Sequence, residues 1–322
     1  MKKFLVDLKP GENVEEFFLV KTIQIKVANN GNQFADLVIA DKTGEVTAKI
    51  WDLSKEELVD TVKSIQDRDV VKIRGSVIEW NGMKQVKIFL IRKTKEDDSI
   101  DPGDYIKVAP LDTRKMYQDI SDQIMGFVDE ELKAITGSIW KEYEEKLLYF
   151  PAAMKNHHAI MGGLLYHVYR MLQNAGGLCD VYPILNQDLL KCGIILHDIA
   201  KLQEIDADQM GMADQYTFEG QMLGHIIQGI KIIDQVALKC DISSEKRIMI
   251  EHMILSHHYE AEFGSPKKPL FPEAEMLHYL DMIDARIYDM EEALKNTEPG
   301  TFSERVWTMD QRKLYKSHED AE

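Results

Sequence analysis

The sequence predicts a multidomain α and β chain, a five-stranded β-barrel followed by an all-α helical bundle, and three observations carry that prediction. Apolar residues alternate with a strand-like period up to about Lys93 and recur at spacings of three and four from Met116 onward. Between the two patterns lies a polar stretch broken by Pro102, Gly103 and Pro110. Charge divides at the same place: residues 1–95 hold 17 Lys+Arg against 14 Asp+Glu, near +3, and the remainder 22 against 41, near −19. All ten histidines fall in the acidic part, between His157 and His318. The expected bounds are 1–95 for the barrel and 96–115 for a linker. A helical domain follows over 116–298, with its core at about 155–295, and then a C-terminal tail over 299–322 whose last residues, Ser317 to Glu322, read as solvated.

Taken in order, the first strand is Phe18–Ile25, the second Phe34–Ala40 and the third Val46–Trp51, all rich in β-branched and aromatic residues. Asn29-Asn30-Gly31-Asn32 and Asp41-Lys42-Thr43-Gly44 separate them with residues that tolerate positive φ. Ser54 to Ile65 reads as a short helix, with Ser54 as N-cap and Glu57 as its capping-box partner. The strands Val70–Ile78 and Gln85–Ile91 then flank Trp80-Asn81-Gly82, a hairpin turn. Five strands with a helix between the third and fourth make the OB topology. On such a barrel Phe34, Trp51 and Trp80 offer faces for base stacking, each worth roughly 1–3 kcal/mol where it occurs. Lys84, Lys72, Arg74 and Lys49 offer charge to phosphates. The bland readings are core aromatics and a solvent face of lysines.

In the second half, expected helices run 162–174 with His167, 188–202 with His197-Asp198, 217–238 with His225, 245–263 with His257-His258, and 272–294 with Asp281 and Asp284. Each lies in or beside an apolar stretch. Buried imidazoles and carboxylates without partners cost several kcal/mol, on the order of 2–7 each, so a bundle that collects this many pairs them or shares a metal. Adjacent residues on a helix diverge by about 100°, so His197 and Asp198 serve one ion only where the helix points into the site. Nitrogen and oxygen donors without thiolate suit Mn²⁺, Fe²⁺, Co²⁺, Ni²⁺ or Zn²⁺. His157 and His158 read either as contacts to substrate phosphate or as an exposed helix start. The loop from Ser265 to Pro272, with Lys267 and Lys268, reads either as a cover for the site or as a plain surface loop.

The ordered series His167, His197-Asp198 and Asp281 resembles the H…HD…D signature of the HD phosphohydrolase superfamily. The local strings Gly162-Gly163-Leu164-Leu165-Tyr166-His167, Leu196-His197-Asp198-Ile199-Ala200-Lys201 and Leu255-Ser256-His257-His258 carry it. Joined to an OB domain at this length, the whole chain is similar to YhaM-type 3′-5′ exoribonucleases. That resemblance implies metal-dependent hydrolysis of single-stranded RNA, with single-stranded DNA as a second substrate, from the 3′ end to nucleoside 5′-monophosphates. It implies that His167, His197, Asp198 and Asp281 hold one ion and that His225 and His257 extend the set to a second, with Asp198 bridging. Mn²⁺ is the first choice, with Co²⁺, Fe²⁺, Ni²⁺ or Mg²⁺ as alternatives. Lys201 would steady the scissile phosphate or the activated water, and His158 and His258 would contact substrate. Asp284 competes with Asp281, and His258 with His257, because a small shift in register exchanges them.

The N-terminus lacks an apolar signal region and no run reaches membrane-spanning length, so neither secretion nor a membrane partner is expected. Cys179, Cys192 and Cys240 have no CxxC spacing, which fits a reducing, cytoplasmic setting. Segregated charge also raises a homo-oligomer in which several OB domains surround one entrance. Two rivals stand beside the exonuclease: an HD phosphohydrolase of nucleotides or cyclic dinucleotides with a regulatory OB domain, and a non-catalytic single-strand-binding protein.

Overall fold

A computed structural model describes residues 2–28, 31–95, 97–154 and 158–318. Asn29-Asn30 of the first expected turn, His157 and the end of the tail lie outside the described residues. The chain divides into two compact units, Met1–Lys107 and Val108–Glu322.

In the first unit, β1 (Asn13–Val27), β2 (Gln33–Asp41), β3 (Gly44–Ile50), β4 (Val70–Trp80) and β5 (Met83–Lys93) close into a barrel in the order β1-β2-β3-β5-β4. α1 (Glu56–Ser64) lies between β3 and β4 in sequence. Every pairing is antiparallel except β3 with β5. This is the OB barrel that the strand pattern predicts. Alternation does the sorting: Val71, Ile73 and Val77 of β4 and Val86, Ile88 and Ile91 of β5 are buried, while intervening side chains face outward. The β4–β5 turn places Asn81 at φ +52° and Gly82 at φ +75°, the left-handed pair that a two-residue hairpin needs.

The expected capping box at Ser54 does not form. Asp52 Oδ1 accepts the Ser54 amide at 2.9 Å in a local turn, so the helix starts only at Glu56, with Lys55 as an N-cap that makes no side-chain bond. Nor is 96–115 a free linker. The ammonium of Lys2 reaches Asp104 at 3.0 Å and the Tyr105 hydroxyl at 2.6 Å, Lys42 N–H donates to the Asp104 carbonyl at 2.8 Å, and Tyr105 is buried. Chain up to Lys107 therefore belongs to the barrel unit. From Ala109, whose N–H donates to the Met161 carbonyl at 2.9 Å, it belongs to the helical unit.

That second unit holds α2 (Thr113–Met125), α3 (Glu130–Glu142), α4 (Glu144–Leu147), α5 (Gly163–Val181), α6 (Gln187–Leu196) and α7 (Lys201–Glu204). A small ribbon of β6 (Ile205–Ala207) and β7 (Ala213–Tyr216) follows, then α8 (Phe218–Lys239), α9 (Ser244–Ser256) and α10 (Pro272–Lys295). Asp112, Asp129, Asn186 and Thr217 begin α2, α3, α6 and α8 by accepting amides of the first turn. α5, α6, α8, α9 and α10 contribute to one apolar core. Before residue 317 the C-terminal segment folds on itself: Ser303 N–H donates to Leu314 O at 2.8 Å, Val306 N–H to Arg312 O at 2.9 Å, and Met309 is buried. Among the described residues no helix is long and apolar enough to cross a membrane.

Candidate metal centre

Four imidazoles are oriented by the same device, a partner for Nδ1 that leaves Nε2 facing inward. His197 is the C-terminal cap of α6, and its Nδ1–H donates to the carbonyl of Ile194 at 2.9 Å. His257 ends α9 in the same way, on the carbonyl of Ile254 at 2.7 Å. Because a carbonyl can only accept, the proton of both rings lies on Nδ1. The other two use carboxylates: His167 Nδ1 faces Asp284 Oδ2 at 2.7 Å, and His225 Nδ1 faces Glu204 Oε2 at 3.0 Å.

The Nε2 atoms gather around two carboxylates. His167 Nε2 lies 3.3 Å from Asp281 Oδ1. Asp198 turns Oδ2 toward His197 Nε2 at 3.3 Å and Oδ1 toward His225 Nε2 at 3.5 Å and His257 Nε2 at 3.8 Å. Asp198 thus stands between two groups of donors, His167, His197 and Asp281 on one side and His225 and His257 on the other. The adjacent residues His197 and Asp198 converge because α6 ends at Leu196 rather than continuing to 202.

This arrangement fits a cation. His197 Nε2, His225 Nε2, His257 Nε2 and Asp198 Oδ1 are buried and make no hydrogen bond. Leaving such an atom unsatisfied costs about 1–3 kcal/mol, and four of them share one location. His167, His197 and Asp198 offer one ligand atom each within 4.8 Å of one another, and so do His225, His257 and His258. Charge agrees. Burial works against the Asp198 carboxylate, but Lys201 first, then the imidazoles, hold it well below the usual range. Burial, then the His258 and His197 rings, keeps His257 well below 6.5 and therefore neutral, with a lone pair to give. His167 differs: burial lowers its pKa, but Asp281 and Asp284 outweigh it and push it up to about 9, so a cation at Nε2 would have to displace a proton shared with Asp281.

Asp198, His225, His257 and Asp281 floor a cavity of about 730 Å³, whose lining also includes Lys201, Glu204, His258 and the apolar side chains of Ile205, Tyr216, Phe263 and Met282. Lys201 binds Asp198 Oδ2 at 2.7 Å. His258 donates from Nδ1 to Phe263 O at 2.6 Å. His158 lies elsewhere. It is fully buried, its Nε2 2.7 Å from Asp284 Oδ2, and it is absent from the cavity lining, so the expected substrate contact gives way to a place behind His167. The Asp281–Asp284 ambiguity also separates by direction, since Asp284 takes the outer nitrogen of His167 and is fixed by Arg170 Nε at 2.6 Å. Lys268 pairs with Glu260 at 3.5 Å and lies over the Tyr259 ring, outside the lining. Sequence reasoning missed Glu204, Arg170 and the backing role of His158. No local motif marks them, because their partners are distant in sequence.

On the barrel, Phe34 and Trp51 stack at 5.8 Å between centroids, with Lys49 Nζ 5.0 Å from the Trp51 ring. Trp51 is 48% exposed, and Trp80 at the β4–β5 turn is 63% exposed. Lys87 and Phe89, which no sequence motif singles out, add an exposed aromatic and a cation on β5, and Lys87 lies opposite Lys49. Lys84 is committed inward, donating to the Leu5 carbonyl at 2.7 Å, which removes it from the exposed basic set. Lys72 is paired with Glu15 at 3.2 Å.

Fold and site together define a protein with an OB-fold barrel and a helical HD domain built to hold divalent metal. Family comparison agrees: residues 164–286 match the HD domain, and residues 19–94 match the OB-fold nucleic acid binding domain. The chain is 39% identical over 317 residues to the 3′-5′ exoribonuclease YhaM of Geobacillus sp. (strain WCH70), covering 98% of this chain and 95% of that protein. It is 38% identical to the protein of that name from Listeria welshimeri, covering 98% of each chain, and 39% identical to that from Shouchella clausii, covering 98% of this chain and 97% of that protein. The chain belongs to the YhaM family.

Proposed function

We propose that this protein is a metal-dependent 3′-5′ exoribonuclease that hydrolyses single-stranded RNA, and single-stranded DNA as a second substrate, to nucleoside 5′-monophosphates. The observation that carries the reading is the set of inward Nε2 atoms around Asp198 at the floor of an open cavity, in a chain whose relatives bear that activity in their names. His167, His197, Asp198 and Asp281 would hold one ion, and His225 and His257, with Asp198, a second. The nitrogen and oxygen donors admit Mn²⁺, Co²⁺, Fe²⁺ or Ni²⁺, with Mg²⁺ less suited to so many imidazoles, and Mn²⁺ comes first on the family resemblance rather than on the donor set. Divalent ions in such a pair lower the pKa of water and neutralise the attacking and leaving oxygens of a phosphodiester.

The chain's own groups do the rest. Lys201 fixes the orientation of Asp198 and brings a positive charge to the cavity wall where the scissile phosphate lies. His258, on the same wall, contacts that phosphate. Phe34 and Trp51 stack bases without reading them, and Lys49 and Lys87 meet the backbone, which suits single strands of any sequence. Association of several copies, joining near-neutral barrel units, with 18 Lys+Arg against 19 Asp+Glu over 1–107, to acidic helical units, belongs to the same reading, and a monomeric mass in solution removes that part. The three free cysteines accord with a reducing, cytoplasmic setting.

A time course on 5′-labelled single-stranded RNA with Mn²⁺, Mg²⁺ or chelator tests the proposal. The expected result is a ladder shortening from the 3′ end, abolished by chelator and by Asp198→Asn while RNA binding persists. Hydrolysis of free or cyclic nucleotides with no ladder on the oligomer would sink it.

A further inference from the structure

We propose that Glu204 and Gly224 form a positioning device for His225, on which occupancy of the second ion site depends and the first does not. The inference rests on the two-ion reading above.

α8 is interrupted one residue before the histidine, where Gly224 adopts φ +70° and ψ 163°. That combination is open essentially only to glycine. It turns the His225 amide away from the helical ladder and toward Glu204, whose Oε1 accepts it at 3.0 Å. The other oxygen, Oε2, accepts the ring Nδ1–H at 3.0 Å. One carboxylate therefore grips one residue at backbone and ring together and fixes both the place and the tautomer of the imidazole. Glu204 is itself anchored, since its carbonyl accepts Thr217 N–H at 2.9 Å and the Thr217 hydroxyl donates to Gln203 O at 2.7 Å. α8 starts tight against this point: a Cβ on Gly220 would lie 2.2 Å from the Glu204 carbonyl. Glu204 is thus a positioning residue that acts through His225, as Asp284 does through His167 on the other side of Asp198.

Glu204→Gln keeps the shape but reverses half the chemistry. Its amide oxygen still accepts the His225 N–H, so its NH₂ faces Nδ1. Nδ1 must then accept, which moves the ring proton to Nε2 and blocks the ligand atom. Glu204→Ala leaves Nδ1 to water and the tautomer free. A merely structural role ranks Gln as milder than Ala, whereas this device ranks Gln as at least as severe.

Calorimetric titration of the full chain with Mn²⁺, with melting temperature as the check on folding, decides the matter. Wild type is expected to take two ions. Glu204→Gln should weaken one of them about 10- to 100-fold, matching His225→Ala, while the other is unchanged. Glu204→Ala should be no worse. Two ions bound by Glu204→Gln with wild-type affinity, or an Ala variant more impaired than Gln, overturns this inference alone. Wild type that takes up no Mn²⁺ overturns the metal reading and this inference with it.

Discussion

Asp281 and Asp284 lie one helical turn apart on α10, and spacing places them on neighbouring parts of one face, so sequence leaves them equivalent. What separates them is which nitrogen of His167 each meets: Asp281 the inward Nε2, Asp284 the outward Nδ1. Asp284 is in turn held by Arg170 and His158, so three side chains stand in line behind one ring. Asp284→Asn exchanges an acceptor for an amide that can offer its NH₂ to Nδ1, and it removes the negative charge that raises the ligand's basicity. Affinity for one Mn²⁺ ion should fall about 10- to 100-fold with the second ion unaffected, read from the titration used for Glu204. The candidate donors were legible in the sequence because their residue types are rare in apolar stretches. Residues behind it were not, because glutamate, arginine and a second histidine look like ordinary surface until three-dimensional proximity gives each a partner.

At the level of elements, helix ends do most of the positioning. α6 reads in sequence as one apolar run from Leu189 to Leu202 with no proline to stop it, so a straight helix is the natural expectation. It stops at Leu196 because the His197 ring folds back onto the carbonyl of Ile194, and α9 stops at Ser256 by the same contact between His257 and Ile254. Such terminations have no composition signal. Helix starts do: Asp129 accepts the amides of Glu131 and Leu132 at 3.1 Å each and pairs with Lys246 at 2.7 Å. Asp129→Ala should cost about 1 kcal/mol in a urea melt at pH 7. Burial raises this carboxyl's pKa, but Lys246 and the two amides outweigh it and leave it below the ordinary value. Its contribution is therefore full above the unfolded pKa of about 4 and is lost as pH falls through the lower folded value. Wild type and variant should converge in acid, and an undiminished difference at pH 2 would contradict the assignment.

For the whole molecule, the division of charge that marks the sequence becomes a division of labour. The helical unit carries the excess of acid, so its attraction for a polyanion is confined to the metal centre and the few cations of the cavity wall. On the proposed reading, grip on the rest of the strand falls to the barrel, where Phe34, Trp51, Lys49, Lys87 and Phe89 share one face and Lys49 is paired with Asp36 only loosely, at 3.8 Å. If binding and cleavage are separated in this way, weakening the barrel changes how much substrate is held and not how fast held substrate is cut. Phe34→Ala with Trp51→Ala removes a stacking platform worth roughly 1–3 kcal/mol per base, so KM on a single-stranded oligomer should rise about 5- to 150-fold with kcat preserved. Replacing Lys49 and Lys87 should instead flatten the salt dependence of binding, because a barrel that neutralises fewer phosphates releases fewer counterions. A fall in kcat at unchanged KM for the aromatic pair would mean that the barrel takes part in the chemical step, and the division of labour would not hold.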